Sequence, residues 1–161
     1  MTIPSQSGPV LGELYHVGLA VRSVEESIEK LTQLGVTKWG PVWDFKMPAR
    51  YKDHEGFPGL KASFAFAGPI MLELVAPTDG DSPVSAYIDE FGEGLEHLGY
   101  RVDDVGMAIE RAKKVGMKVE WEISDSVGLA VAYMSGDALF GMHVELVRSD
   151  PVIHVLEWLR T

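Results

Sequence analysis

Apolar and polar residues alternate over residues 13–21, which is the period-two pattern of a half-buried strand. The spacing then becomes helical after Ser23, a residue type that caps helix starts, and the helix is predicted to end at Gly35. Three further strands are predicted at residues 37–43, 61–67 and 70–76. The first half of the chain is therefore predicted to be a βαβββ unit.

The second half repeats this order of elements. A strand is predicted at residues 95–102, and a helix begins after Asp103 or Asp104 and stops at Gly116. Strands then follow at residues 118–122, 128–134 and 141–147. The chain thus consists of two βαβββ units of similar length.

Three segments lie outside the two units. A linker at residues 77–93 contains a short helix at residues 83–91 that Ser82 is placed to cap, and a final helix is predicted at residues 151–159. Residues 44–59 form a long connection without clear periodicity. Such connections are often functional, and we expect this one to be a lid.

The repetition extends to the amino acids themselves. Residues 14–21 return 81 positions later as residues 95–102, and each copy carries one histidine, His16 or His97. Each unit also ends in a similar apolar strand that contains one glutamate, Glu73 or Glu145. A period of this kind indicates a duplicated unit.

Composition narrows the function classes. The 161 residues fit one domain, and 46% hydrophobic residues are enough for a core. A formal net charge of −10 argues against nucleic acid as a partner, because phosphate binding needs a basic surface. No apolar run is long enough to span a bilayer, the first residues lack a signal-peptide pattern, and there are no cysteines. We therefore expect a cytoplasmic protein that does not contact membranes.

Strand geometry suggests a metal site built from both units. His16 shares a strand face with Gly18, and His97 shares one with Gly99, so the glycines are expected to leave room for an ion or substrate. Glu73 and Glu145 lie in otherwise apolar strands, where a carboxylate is costly to bury unless it is paired or binds a metal. The four residues together favour one shared ion.

Several motifs resemble the vicinal oxygen chelate superfamily, and most closely its methylmalonyl-CoA epimerase-like branch. The motifs are residues 14–21 (LYHVGLAV), 71–77 (MLELVAP), 81–83 (DSP), 92–98 (GEGLEHL) and the strand containing Glu145. The resemblance covers about residues 13–147. It implies an α+β fold in which two βαβββ modules form a U-shaped, mostly antiparallel sheet around a metal. The whole chain, residues 1–161, would be a single domain with modules at about 13–76 and 94–147.

The same resemblance implies the site and its chemistry. The four ligand positions of the family fall on His16, Glu73, His97 and Glu145, a donor set that suits one Co, Ni, Zn, Mn or Mg ion. The metal would act as a Lewis acid on a small acyl substrate, for example a CoA thioester, and Glu145 or Glu73 would move the proton α to the carbonyl. The outcome would be epimerisation or isomerisation, and the protein would be a homodimer. Two alternatives stay open: a glyoxalase-I-like lyase, and a non-catalytic protein that sequesters a small ligand.

The chain departs from the epimerase pattern at the second acidic base. The nearest matching position is Phe57, so a one-base reaction is expected more readily than epimerisation through two faces. His143, two residues before Glu145 on the same strand side, is a candidate for the missing acid or base, or else a polar residue at the pocket mouth. Glu96 precedes His97, and strand alternation places it on the opposite face in a structural role.

Overall fold

A computed structural model describes residues 11–136, 141–149 and 159, and these contain ten strands and three helices. The helices are α1 (Val24–Gln33), α2 (Pro83–Phe91) and α3 (Val105–Lys114). The strands are β1 (Glu13–Ala20), β2 (Trp43–Lys46), β3 (Ala49–Tyr51), β4 (His54–Gly56), β5 (Gly59–Ala67), β6 (Ile70–Asp79), β7 (Gly94–Val102), β8 (Lys118–Asp125), β9 (Gly128–Ser135) and β10 (His143–Arg148). The predicted α+β class is confirmed. The predicted helix at 151–159 lies outside the described residues except for Leu159.

The strands form one sheet whose two halves repeat the same arrangement from the centre outwards. Its order is β2-β5-β6-β1-β7-β10-β9-β8-β3-β4. At the centre, β1 pairs antiparallel with β7, while β6 runs parallel to β1 and β10 runs parallel to β7. Each unit therefore places its histidine strand at the centre and its glutamate strand next to it.

The segment at residues 44–59 is not the long unstructured connection that the sequence suggests. It contains β2, β3 and β4, and it joins the two far ends of the sheet, because β2 pairs with β5 and β3 pairs with β8. Only Met47 and Pro48 separate β2 from β3, a span of at most about 11 Å. The sheet must curl until its ends nearly meet, which produces the expected U-shaped cross-section. Pairing with distant strands, which sequence periodicity does not reveal, orders this segment.

The strand predicted at residues 37–43 is displaced towards the C-terminus. Trp39 makes only an isolated bridge to Ala65, and β2 begins at Trp43. Pro41 has no N–H to donate to a sheet, so regular pairing starts after it. The proline therefore moves the strand from its predicted position.

All three helices begin at capping residues that the sequence singled out. Ser23 caps α1, Ser82 caps α2 in a reciprocal arrangement with Ser85, and Asp104 rather than Asp103 caps α3. The α3 helix packs on β9 and β10, and α1 packs on β6, so each covers the sheet with its apolar side. No helix in the described ranges is long and apolar enough to cross a membrane.

Candidate metal centre

The pairing register brings the four predicted ligands to one place at the centre of the sheet. Gly18 pairs with Glu73 on one side and with His97 on the other. Gly99 likewise pairs with Glu145 and with His16. Each glycine therefore lies between the glutamate of its own unit and the histidine of the other unit.

The ligand atoms of these residues form a compact buried cluster. One ligand atom from each of His16, Glu73, His97 and Glu145 lies within 4.8 Å of all the others. Glu73 Oε2 lies 2.9 Å from His16 Nε2 and 3.0 Å from His97 Nε2, and the two Nε2 atoms are 2.8 Å apart. Glu145 Oε2 lies 3.2 Å from His16 Nε2. All four residues are at least 92% buried, since none exceeds 8% exposure.

The two glycines make room for the histidine rings and not, as the sequence suggested, for an ion or substrate. A Cβ atom added at Gly18 would lie 2.0 Å from the His97 ring, and one added at Gly99 would lie 2.0 Å from the His16 ring. Both distances are far shorter than van der Waals contact. The absence of a side chain at these positions therefore lets each ring cross onto the neighbouring strand and reach the shared centre.

Two irregularities in the central strand pair set the direction of neighbouring side chains. The β1–β7 register shifts between Leu14 and His16 and again between Gly18 and Leu19, which leaves Tyr15 and Glu96 without a direct partner. Such bulges interrupt strict alternation and redirect a side chain. Tyr15 and Glu96 are equivalent positions in the two units, so the bulge is part of the duplicated pattern.

The prediction that Glu96 faces away from the site is wrong because of this bulge. Glu96 is fully buried, and its Oε2 lies 2.6 Å from His97 Nδ1. With Nδ1–H donating to this carboxylate, Nε2, which faces Glu73 and His16, is the nitrogen that would bind a metal once it has lost its proton. Glu96 thus orients the ring for binding a metal through Nε2. The sequence shows a glutamate beside a ligand histidine, but the direction of its side chain depends on the bulge, which the sequence does not reveal.

His143 continues the same chain of contacts away from the cluster. Its Nδ1 lies 2.6 Å from Glu96 Oε1, and its Nε2 lies 3.0 Å from Glu120 Oε2. The ring therefore bridges a buried carboxylate and a half-buried one. Through Glu96, His143 is connected to His97 and so to the cluster.

The charges of the cluster shift its pKa values in opposite directions. Burial raises the pKa of Glu145 well above its usual range, and the charge of Glu73 adds to this effect. Burial would also raise the pKa of Glu73, but the neighbouring His16 and His97 outweigh it and lower that pKa. Burial lowers the pKa of His16. For His97, contacts with Glu73 and Glu96 overcome burial and raise the pKa.

The residues present fit a divalent metal. Glu145 Oε2 and His16 Nδ1 are buried and have no hydrogen-bond partner in the described part of the chain. A buried carboxylate oxygen that makes no hydrogen bond is costly in a protein interior, even with His16 Nε2 3.2 Å away, and a cation at the cluster would remove that cost. Metal ligands at about 2.1 Å from an ion lie about 3 Å apart when they are at right angles, which agrees with the separations given above. Imidazole and carboxylate donors together suit first-row transition metals and magnesium.

A cavity of about 460 Å³ opens onto the two carboxylates. Glu73 and Glu145 form part of its wall, and most of the other lining side chains are apolar or aromatic. The aromatic residues Trp43, Phe45 and Phe64 line this cavity. Sequence reasoning missed Tyr15 and Tyr133, which also line it; burial raises the pKa of both tyrosines well above its usual value, so each keeps its phenolic proton.

Residues outside the cavity include several candidates from the sequence. His143 is not among the described residues that line it, and neither is Phe57, which is 67% exposed. Lys46 forms an ion pair with Asp79, and Arg50 forms one with Glu122. The structure therefore brings together the four predicted ligands and leaves the predicted second base position without a carboxylate at the cavity.

Comparison with known proteins supports the same architecture. The uncharacterized protein YqjC of Bacillus subtilis (strain 168) is 26% identical over 92 residues, which are 56% of this chain and 57% of that protein, so the chain spans little more than half of its length. The solved methylmalonyl-CoA epimerase from Mycobacterium tuberculosis superposes with a TM-score of 0.60 and 18% identity, covering 94% of this chain and 97% of that one. A variant of the Streptomyces coelicolor methylmalonyl-CoA epimerase in complex with 2-nitronate-propionyl-CoA superposes with a TM-score of 0.62 and 20% identity. The match covers 86% of this chain and 98% of that one.

Because the two epimerases are only 18% and 20% identical to this chain, their similarity shows a shared fold alone. The family is shown by the sequence itself, because the profile of one superfamily matches residues 15–133, a stretch that starts beside His16 and includes Glu73 and His97. The protein belongs to the Glyoxalase/Bleomycin resistance protein/Dioxygenase superfamily.

Proposed function

We propose that the protein is a divalent-metal-dependent enzyme that removes a proton next to a carbonyl group of a small substrate, with an isomerase or epimerase outcome. The observation that carries this proposal is the buried His16–Glu73–His97–Glu145 cluster at the wall of a cavity large enough for a small molecule. Its four donors come from both units, so we also propose that residues 1–161 act as one domain.

We assign the residues of the cluster to different roles in this reaction. A bound divalent ion would supply a Lewis acid that holds substrate oxygens and stabilises an enolate. His16, Glu73, His97 and Glu145 are assigned to holding that ion. Glu145 is also assigned to proton transfer, because it lines the cavity and its Oε2 has no hydrogen-bond partner among the described residues. Glu73 also lines the cavity and is the second candidate for this role, although both histidines already contact it.

His143 is assigned a positioning role in place of direct proton transfer to a substrate. Its ring contacts Glu96 and Glu120 and does not line the cavity within the described ranges. Since Glu96 in turn contacts His97, His143 supports the orientation of a metal ligand. The site thus offers one carboxylate base on one face of the substrate, which favours isomerisation or lyase-type chemistry over epimerisation through two faces.

Two measurements test this function. Metal analysis of the purified protein should find about one divalent ion per chain, and the Glu145→Gln and His16→Ala variants should lose it or bind it weakly. Incubation of the metal-loaded protein with 2-oxo and acyl substrates in deuterated water should place deuterium at the α-carbon. Binding without deuterium exchange would instead indicate a sequestering protein, and a thiol-dependent product would indicate a glyoxalase-I-like lyase. A protein that takes up no metal would contradict both enzyme functions.

We further propose that the protein is a cytoplasmic homodimer. The family resemblance supports the homodimer, and the absence of cysteines fits a reducing compartment such as the cytoplasm, where disulfides are rare. Light scattering during size-exclusion chromatography should give twice the mass of the 17.7 kDa chain.

A further inference from the structure

The side chains that line the cavity beside the carboxylates limit which kinds of substrate bind well there. Its far walls consist of apolar and aromatic side chains contributed by β2, β5, β8 and β9: Trp43, Phe45, Leu60, Phe64, Trp121, Ile123, Val131 and Tyr133. A ligand group that fills this space gains free energy in proportion to the apolar area that it buries. The walls therefore favour an aryl or branched alkyl group on the substrate.

The charge of the cavity disfavours an anionic group at the same position. Among its described lining residues there is no Lys, Arg or His, whereas Asp44, Glu73 and Glu145 are acidic. A carboxylate placed against the apolar walls would lose its hydration without meeting a cation. The basic residues on the neighbouring strands already have partners, since Lys46 pairs with Asp79 and Arg50 pairs with Glu122.

The curled sheet closes the cavity around this group. Met47, in the short link between β2 and β3, lines the cavity and packs against the same cluster of buried residues as Phe45. The link crosses from one end of the sheet to the other, so the cavity is bounded on the side opposite the central strands. A bound group is thereby held between the metal ligands and the apolar link.

We propose that the substrate, held at the metal by its oxygens as in the proposed function, carries an uncharged aryl or branched alkyl group at the apolar end of the cavity, and that the cavity discriminates against substrates with a carboxylate there. This inference rests on the proposed function, because the metal end of the substrate is defined by the proposed ion. It adds that the organic part of the substrate, and not a distant charged group, supplies the binding energy in this cavity.

Hydroxamic acids provide matched probes, because each chelates a metal through two adjacent oxygens and only the tail varies. Trp43 and Trp121 both line the cavity, so their fluorescence reports occupancy of the metal-loaded protein. We expect benzohydroxamate to bind at least about tenfold more tightly than acetohydroxamate, from the apolar area that the ring buries. We expect butanohydroxamate to bind more tightly than succinic monohydroxamate, which has a carboxylate in place of the terminal methyl group.

Two variants and one control test which side chains cause the preference among the probes. Phe45→Ala should remove most of the preference for benzohydroxamate while leaving acetohydroxamate binding unchanged, whereas the control Phe57→Ala, at an exposed aromatic residue outside the cavity, should change neither. Met47→Lys should reverse the preference between butanohydroxamate and succinic monohydroxamate, because it adds a cation to the wall.

The outcomes separate this inference from the proposed function. Metal uptake with equal binding of all four probes, with tighter binding of the anionic tail, or with no probe bound would overturn the inference alone. A protein that takes up no metal would overturn the proposed function and the inference with it.

Discussion

At the scale of single residues, the two histidines of the cluster have unequal environments. His97 Nδ1 has a carboxylate partner in Glu96, whereas His16 Nδ1 is buried with no hydrogen-bond partner in the ranges that the structure covers. A carboxylate on the outer nitrogen makes an imidazole a stronger and better oriented metal ligand. The two units therefore differ at one equivalent position, which is Tyr15 in the first unit and Glu96 in the second.

Replacing Glu96 tests this difference. We expect Glu96→Gln to weaken binding of a divalent ion by about 10- to 100-fold, because the neutral amide no longer polarises the His97 ring. Glu120→Gln is the matched control: it removes the same charge at the outer end of the His143 contact and should change the affinity much less. Titration calorimetry with Co²⁺ measures both constants. Equal affinities for the wild-type protein and Glu96→Gln would contradict the positioning role.

The glycines opposite the histidines give a second prediction at this scale. We expect Gly99→Ala to abolish measurable metal binding, because the new methyl group occupies the space of the His16 ring and pushes its Nε2 atom away from the cluster. The matched control is Gly56→Ala on β4, where an added Cβ would have no neighbour within 4 Å. Metal content after dialysis distinguishes the two. Retention of a stoichiometric ion by Gly99→Ala would show that the ring has room to move.

At the scale of elements, local signals predicted the helices well and non-local pairing was predicted poorly. The α2 helix has the bounds that the sequence indicated, because its cap and its apolar spacing are local features. The β3 and β4 strands were missed, because β3 pairs with the distant β8 and β4 joins the sheet only through β3. Glu96 was misplaced for a related reason: alternation assumes a regular strand, and a bulge is a property of the pair.

The start of α3 allows a direct test of a local signal. Asp103 and Asp104 were equal candidates in the sequence, and the structure shows that Asp104 accepts a hydrogen bond from the Met107 N–H at 2.8 Å. We expect Asp104→Ala to lower the free energy of unfolding by about 1 kcal/mol, the usual value of an N-cap. Asp103→Ala removes the same charge without the cap and should change it by less than about 0.5 kcal/mol. Urea denaturation measures both, and equal effects would contradict the assignment of the cap.

At the scale of the whole molecule, the duplication explains why the ligand set was predictable. A lone histidine or glutamate in a strand carries little information, but equivalent pairs in two units indicate one symmetric centre. Because β1 and β7 pair at the middle of the sheet, the four groups meet where the units join. A metal at this point would bind both units at once, so its binding would stabilise the folded chain.

The pH dependence of stability should reveal this coupling. Without metal, the raised pKa values of Glu145 and His97 mean that the folded chain holds protons that the unfolded chain has released. The lowered pKa of His16 acts in the opposite direction below about 6.5, and the lowered pKa of Glu73 affects stability only below its usual range near 4.5. Stability should therefore fall as the pH rises from about 6.5 to about 8.

Saturation with a divalent ion replaces those protons, so the metal should raise the melting temperature more at pH 8 than at pH 5.5. Calorimetric scans of metal-free and metal-loaded protein at both pH values measure the difference. Metal-free Glu145→Gln serves as the control for the proton effect, because it cannot release a proton at this position and its melting temperature should change less with pH than that of the metal-free wild-type protein. A metal effect on the melting temperature that is equal at the two pH values would show that the ion does not compete with protons at the cluster.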